Sequence, residues 1–259
     1  MKQVLNIYKK AGETPLEAIN RFRAANPEYR NVKITYAGRL DPLAEGVLIL
    51  LAGDAVYEKE KYLKLDKEYE AEILFGFETD TYDILGLPKR NKKIENLKKE
   101  KLAESLKVFI GASKMPFPPY SSYKIKGKPL FQWTREGKIN EIKIPERKTT
   151  VYEIKLLSLK NISGQKLLKK IEQKINLVKG DFRQKEILKE WQEKMLPNLS
   201  DSKNKEAFWT AKIKIKCSSG TYIRSIANYL GKKMKTGGAI LSLTRTKVGE
   251  FEIKDSLQI

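Results

Sequence analysis

The sequence predicts an α+β fold, and three observations carry that prediction. Segments 67–75, 146–160 and 208–217 alternate with the period of two that half-buried strands require. Helix-period segments at about 16–25, 94–110 and 164–178 are interleaved with them. Glycine and proline clusters at 38–46 and 115–127 punctuate the chain between these elements.

Taken in order, Val4 to Tyr8 reads as an opening strand, followed by a turn from Lys9 to Pro15. Thr14 is a candidate N-cap and Pro15 a first helical residue. Leu16, Ile19 and Phe22 then mark an amphipathic helix to about Ala25, and a basic loop covers 26–33. The run Tyr36-Ala37-Gly38-Arg39-Leu40-Asp41-Pro42-Leu43-Ala44-Glu45-Gly46 comes next, leading into a buried strand, Val47–Leu51. Pro42 fixes its own φ and biases Asp41 towards extended backbone. The cluster therefore presents one carboxylate on a rigid loop beside a buried strand. On local chemistry alone, a turn-capping Asp41 is the simpler reading.

Val56 to Leu65 reads as a helix rich in Glu and Lys. Along 67–75, Tyr69, Ala71, Ile73 and Phe75 share one face, and Glu68, Glu70 and Glu72 the other. Asp80 and Asp83 follow in a polar loop where core packing does not explain them. A helix from about Ile94 to Ile110 stops at Gly111. Prolines exclude a helix across Met115–Gly127. Tyr120, Tyr123 and Lys124 there suit base stacking with phosphate contact, or equally a plain surface loop. In 146–160, Thr150, Tyr152, Ile154 and Leu156 fall on one face. Residues 161–205 offer two basic amphipathic helices, about Gly164–Val178 and Phe182–Leu196, with Asp181 as N-cap of the second. The strand 208–217 has an apolar face and a lysine row, Lys212, Lys214 and Lys216, before Cys217 turns into a helix bearing Arg224.

Composition narrows the function. Lys+Arg is 52 against Asp+Glu 32, a formal charge of +20, which favours a polyanionic partner. Many lysines, however, alternate with Glu in helix-like segments and would simply pair there. With no histidine and one cysteine, histidine catalysis and an intrachain disulfide are excluded, and no metal site is expected. No run of eighteen apolar residues and no signal-peptide core is present, so the chain is expected in the cytoplasm.

The motifs sharpen this into chemistry. Gly38-Arg39-Leu40-Asp41-Pro42-Leu43-Ala44-Glu45-Gly46-Val47-Leu48 resembles the catalytic loop G-x-L-D-P-x-A-x-G-x-L of the TruB-type tRNA pseudouridine synthases. Four further blocks resemble that family in its order. Lys9 and Gly12 match K-P-x-G, with Lys10 in place of proline. Tyr69 followed by Glu78-Thr79-Asp80-Thr81-Tyr82-Asp83 matches Y-x(6)-G-x-x-T-D-T-x-D. Cys217-Ser218-Ser219-Gly220-Thr221-Tyr222-Ile223-Arg224 matches C-S-x-G-T-Y-I-R, and 238–251, with Leu243 and Arg245, matches the closing block. Pro118-Pro119-Tyr120-Ser121-Ser122-Tyr123-Lys124 resembles the RNA-gripping thumb, taken as 115–147, where Phe131, Trp133 and Arg135 are further contacts.

The resemblance implies a single catalytic domain over 1–259 with a mixed, largely antiparallel central sheet and flanking helices. It implies a helical insertion at about 160–207 and a chain that ends too early for a C-terminal PUA domain. It implies isomerisation of a uridine in the T-arm of tRNA, expected at position 55, with no cofactor, by a monomer. Asp41, Tyr69 and Arg224 take the catalytic positions. Lys9, Tyr36, Asp80, Lys124, Tyr222, Leu243 and Arg245 take the substrate-binding ones. The aspartate attacks C1′, attacks C6 of the base, or takes a proton from C2′, and the motif is common to all three routes. The target base must be flipped from its stack. Tyr36 stands where the family has a histidine that fills the vacated space, so stacking is kept and imidazole hydrogen bonding is lost. An RNA-folding chaperone, or a pseudouridine synthase with another RNA target, are the alternatives.

Overall fold

The computed structural model describes residues 2–91, 94–195 and 206–259. In chain order the elements are β1 (Lys2–Lys9), α1 (Pro15–Ala25), β2 (Ile34–Ala37), β3 (Ala44–Gly53), α2 (Lys59–Leu63), β4 (Lys67–Phe75), β5 (Phe77–Thr79), β6 (Pro88–Arg90), α3 (Lys99–Lys107) and β7 (Gly111–Pro116). Then come β8 (Lys124–Ile125), β9 (Lys128–Pro129), α4 (Leu130–Arg135), β10 (Glu146–Ser163), α5 (Gly164–Asn176), α6 (Gln184–Met195), β11 (Ala207–Cys217), α7 (Ile223–Met234), β12 (Gly238–Val248) and β13 (Phe251–Glu252).

Nine of these strands share one sheet in the order β1-β3-β12-β4-β11-β10-β7, with β2 added to β3 and β13 to β12. Its pairings among the described residues are antiparallel except β3 with β12, a short parallel contact from Leu243↔Ala44 to Arg245↔Gly46. Gly46 makes that contact possible. Its φ is +103°, and a Cβ there would lie 2.3 Å from the Arg245 carbonyl oxygen. The first residues after Asp41 are thus stitched to the middle of the sheet. Helix α1 starts as expected: Thr14 caps Glu17, and Glu17 returns the bond to the Thr14 amide.

The central strand β4 keeps the expected alternation. Tyr69, Ala71, Ile73 and Phe75 pack with Ile213 and Ile215 of β11, Ile226 and Leu230 of α7, and Leu102 and Leu106 of α3. The other face carries the glutamates. Lys212 meets Glu70 and Lys214 meets Glu68, each at 3.4 Å, and Lys170 of α5 reaches Glu72 at 2.6 Å. The lysine row of β11 is therefore matched by a carboxylate row.

Helices α5 and α6 lie against the sheet. Leu167, Leu168, Ile171, Ile175, Ile187 and Trp191 join Leu74, Phe77, Ile84 and Phe208 in one apolar cluster. Trp191 is fully buried, packs with its ring tilted at 4.9 Å against Phe77, and donates its indole N–H to the Ile84 carbonyl at 3.1 Å. Truncating a residue so placed typically costs about 3–5 kcal/mol, so the pair is held as firmly as the core.

Several boundaries differ from expectation. The helix expected over Val56–Leu65 is a 3-10 turn followed by the single turn α2. The helix expected over Ile94–Ile110 is confined to α3, and Gly111–Pro116 is an edge strand. A register shift in β10 between Val151 and Glu153 breaks its simple alternation. Val151 and Ile154 are buried while Tyr152 stays exposed, because the irregularity turns the strand's faces over. Asp181 stands three residues ahead of α6 and accepts the Arg183 amide rather than capping the helix. Leu196, the expected last residue of that helix, and 197–205 lie outside the described residues.

Candidate active site

The Asp41 loop is fixed from beneath by two buried cations. Lys9, fully buried at the end of β1, donates to the carbonyls of Ala44 at 2.5 Å, Pro42 at 3.2 Å and Lys10 at 3.1 Å. Burial pushes its amine down to about 8. Arg245 on β12 is 1% exposed and donates to the carbonyls of Val47 at 2.8 Å and Gly38 at 3.0 Å. The loop's backbone oxygens thus spend their lone pairs on these two side chains, as buried polar groups must. Both residues, expected at the substrate, are placed by the structure beneath the Asp41 loop, on its backbone carbonyls.

Asp41 is held from the other side by Arg224 on the first turn of α7. Arg224 Nε donates to Oδ2 at 2.7 Å and Nη2 to Oδ1 at 3.1 Å, a two-pronged carboxylate–guanidinium pair. The guanidinium is also tied to the Thr81 carbonyl at 2.6 Å and the Tyr120 carbonyl at 3.1 Å. Its Nε lies 3.7 Å from Asp83. The Arg224 side chain is 5% exposed and that of Asp41 32%, so one partner is immobilised and the other opens to solvent. Asp83 accepts from the Thr81 hydroxyl at 2.7 Å and the Leu85 amide at 2.9 Å. Burial pushes its carboxyl up to about 6. Asp83 stands in the polar-loop motif, and its place beside Arg224 was not among the expected site residues. The pattern T-D-T-x-D was the available signal.

Tyr69 is 8% exposed, with Arg245 directly opposite on β12. Burial pushes its phenol up to about 12, so at neutral pH it keeps its O–H. Leu243 faces Ala44 on β3 and Ala71 on β4, and so forms part of the wall beside the loop. Tyr222 is the residue preceding α7 and packs edge-on at 5.8 Å against Phe117 of the thumb. Tyr36 on β2 is half-buried; its hydroxyl accepts from Arg39 at 3.0 Å and Lys59 sits 5.5 Å over its ring. The thumb holds Lys124 on an exposed hairpin whose two-residue turn, Lys126-Gly127, has φ of 49° and 77°. Trp133 is turned inward, with its indole N–H on the Ile125 carbonyl and Lys128 3.8 Å above its ring. Asp80, expected at the substrate, accepts from the Leu87 amide at 2.8 Å and from Arg183 at 2.9 Å. The structure thus gathers Asp41, Arg224, Tyr69, Tyr222 and Leu243, and leaves Lys124 exposed on the hairpin.

Known proteins resemble this chain in family and in fold. The family model described as TruB family pseudouridylate synthase (N terminal domain) matches residues 27–182. A protein named tRNA pseudouridine synthase B from Caldanaerobacter subterraneus subsp. tengcongensis is 31% identical over 98% of this chain and 71% of its own length. Its namesake from Clostridium kluyveri is 29% identical over 100% and 71%. Among solved structures, a Cbf5-Nop10-Gar1 complex matches with a TM-score of 0.57 at 19% identity, covering 96% of this chain and 49% of that one. An H/ACA RNP bound to a substrate RNA containing 2′-deoxyuridine matches at 0.54, with 18% identity over 96% and 48%. This chain spans about half the length of those solved chains, and the likeness shows the shared fold. With the family model covering more than half of its residues, the chain belongs to the TruB family of pseudouridylate synthases.

Proposed function

We propose that this protein isomerises a uridine of tRNA to pseudouridine, with the T-arm uridine at position 55 as the target. The observation that carries the reading is the Asp41–Arg224 pair: a carboxylate with both oxygens aimed by one buried guanidinium, open on its far side. The curated relatives' name supports tRNA as the substrate.

The reaction conserves atoms. The N1–C1′ bond breaks, C5–C1′ forms, C5 releases its proton and N1 acquires one. No electron is transferred to an acceptor, so the chain's own residues suffice. Asp41 addresses the nucleotide, and Arg224 keeps the carboxylate from rotating away. Tyr69 and Leu243 line the pocket for the flipped base, and Tyr69 acts as a neutral phenol. Tyr36, with Arg39 on its hydroxyl, supplies the ring that stacks near the vacated space. Lys124 and Lys126, both exposed and without an ion pair among the described residues, meet phosphates from the thumb. We place the enzyme in the cytoplasm as a monomer; no helix among the described residues is long and apolar enough to cross a membrane.

The test is pseudouridine mapping on unmodified tRNA treated with the purified protein. Conversion at one T-arm uridine is expected. Conversion elsewhere would assign another target, and tight binding with no conversion would assign a folding role instead.

A further inference from the structure

The turn between α5 and α6 reaches the catalytic network at two separate points. On one side, the Lys179 amide donates to the Gly12 carbonyl at 3.1 Å, and the Gly12 amide donates to the Pro42 carbonyl at 2.8 Å. One residue, Gly12, thus links this turn to the residue after Asp41. Gly12 has φ +90°, and a Cβ there would lie 2.2 Å from the Leu177 carbonyl oxygen, so the close approach requires glycine.

On the other side stands Arg183. Its guanidinium donates to Asp80 at 2.9 Å and lies 4.9 Å over the Tyr120 ring. Thr81 and Tyr120 supply the two backbone carbonyls that hold Arg224. Arg183 therefore grips Asp80, the neighbour of one carbonyl, and the ring of the residue that owns the other. It does so with φ at +64°, a left-handed conformation unfavourable for a residue with a Cβ. A helix start does not need arginine there; glycine would adopt that φ more readily. The side chain's two contacts account for the choice.

We propose that Arg183 is a positioning residue for the isomerisation. It clamps the 80–81 and 120 backbone segments so that Arg224 is presented to Asp41 in a single orientation. The α5–α6 segment is then a bracket of the active centre. This rests on the isomerase reading, because the orientation matters only if Asp41 performs the chemistry.

The experiment compares wild type with Arg183→Ala, Arg183→Gly and Arg183→Lys. It measures single-turnover conversion of unmodified tRNA at saturating enzyme, tRNA Kd, Tm, and hydrogen exchange of the Arg224 Nε–H by NMR. The expected result is a conversion rate down roughly 10- to 100-fold in Ala and Gly, the scale of a small misplacement of reacting groups. Kd stays within threefold, Lys partly restores the rate, and Arg224 Nε–H exchange quickens in Ala and Gly. Gly should be as slow as Ala although it relieves the backbone. An unchanged rate with weaker, less salt-sensitive binding would make Arg183 a phosphate contact and overturn the proposal. A rate that recovers on cooling well below Tm would make its role only structural and also overturn it. Wild type inactive on tRNA would remove the isomerase reading, and Arg224 exchange unaltered by Arg183→Ala would then overturn the clamp itself.

Discussion

The Asp41–Arg224 centre and the proposed thumb are built on opposite principles. At the centre the cations are dry and fully engaged: Lys9 holds three carbonyls, Arg245 two, and Arg224 one carboxylate and two carbonyls. In the thumb Lys124 and Lys126 are exposed on a short hairpin with no ion pair among the described residues. The sheet's lysine row resembles neither, since Lys212 and Lys214 are neutralised by Glu70 and Glu68. The difference teaches that a net charge of +20 says little about which cations serve RNA. Some hold the Asp41 loop, some balance a neighbouring strand, and Lys124 and Lys126 are left open to solvent.

The largest effect should come from breaking the centre. Arg224→Ala leaves Asp41 unpaired and two carbonyls unsatisfied, a loss typically of about 3–5 kcal/mol when one partner of a buried pair is removed. Single-turnover rate and Tm should both fall. Arg224→Lys should lose less, since it keeps the charge but not the two-pronged geometry. Equal rates for wild type and the Ala variant would break the pairing argument.

A second effect sharpens the picture of the dry site through pH. The Asp83 carboxyl sits at about 6 in the fold, above the ordinary value of about 3.9. Between those values the folded state binds a proton that the unfolded state does not, so this group's contribution to stability is lost as pH rises from about 4 to 6. Asp83→Asn removes that dependence. Its destabilisation should therefore be smaller at pH 7 than at pH 4, by about 2–3 kcal/mol at most. Chemical denaturation at the two pH values measures it, and a pH-independent difference would place Asp83 in a wetter setting.

The smallest effect tests the thumb against the strand. Lys124→Ala and Lys126→Ala should each flatten the log–log salt slope of tRNA binding by about 0.7–0.9. Lys212→Gln and Lys214→Gln should leave it unchanged. The reverse pattern would assign the phosphate-binding role to β11.

Much of this arrangement was legible in the sequence because local rules and motifs coincided. The alternation of 67–75, the Thr14–Pro15 helix start and the two helices after Gly164 all appear in the structure, since each rests on short-range periodicity and capping. Asp41, Tyr69, Arg224, Tyr222 and Leu243 do converge. What remained hidden is non-local. Nothing near Lys9 or Arg245 says that their charges end on carbonyls between Gly38 and Val47, which are distant from both in the chain. The lysine row of β11 is legible from its own alternation, but the carboxylates that match it are set by the register with β4. Arg183, over a hundred residues from Asp80, had no local signal beyond its place in a basic segment.

The central claim is that the Asp41 carboxylate, oriented by Arg224, performs the isomerisation while other surfaces bind the RNA. Single-turnover conversion by Asp41→Asn, measured beside its tRNA Kd, tests it most directly, because the amide keeps the side chain's shape and loses its charge. The account predicts no detectable pseudouridine with Kd within a few fold of wild type. Near-normal conversion by the Asn variant would contradict it.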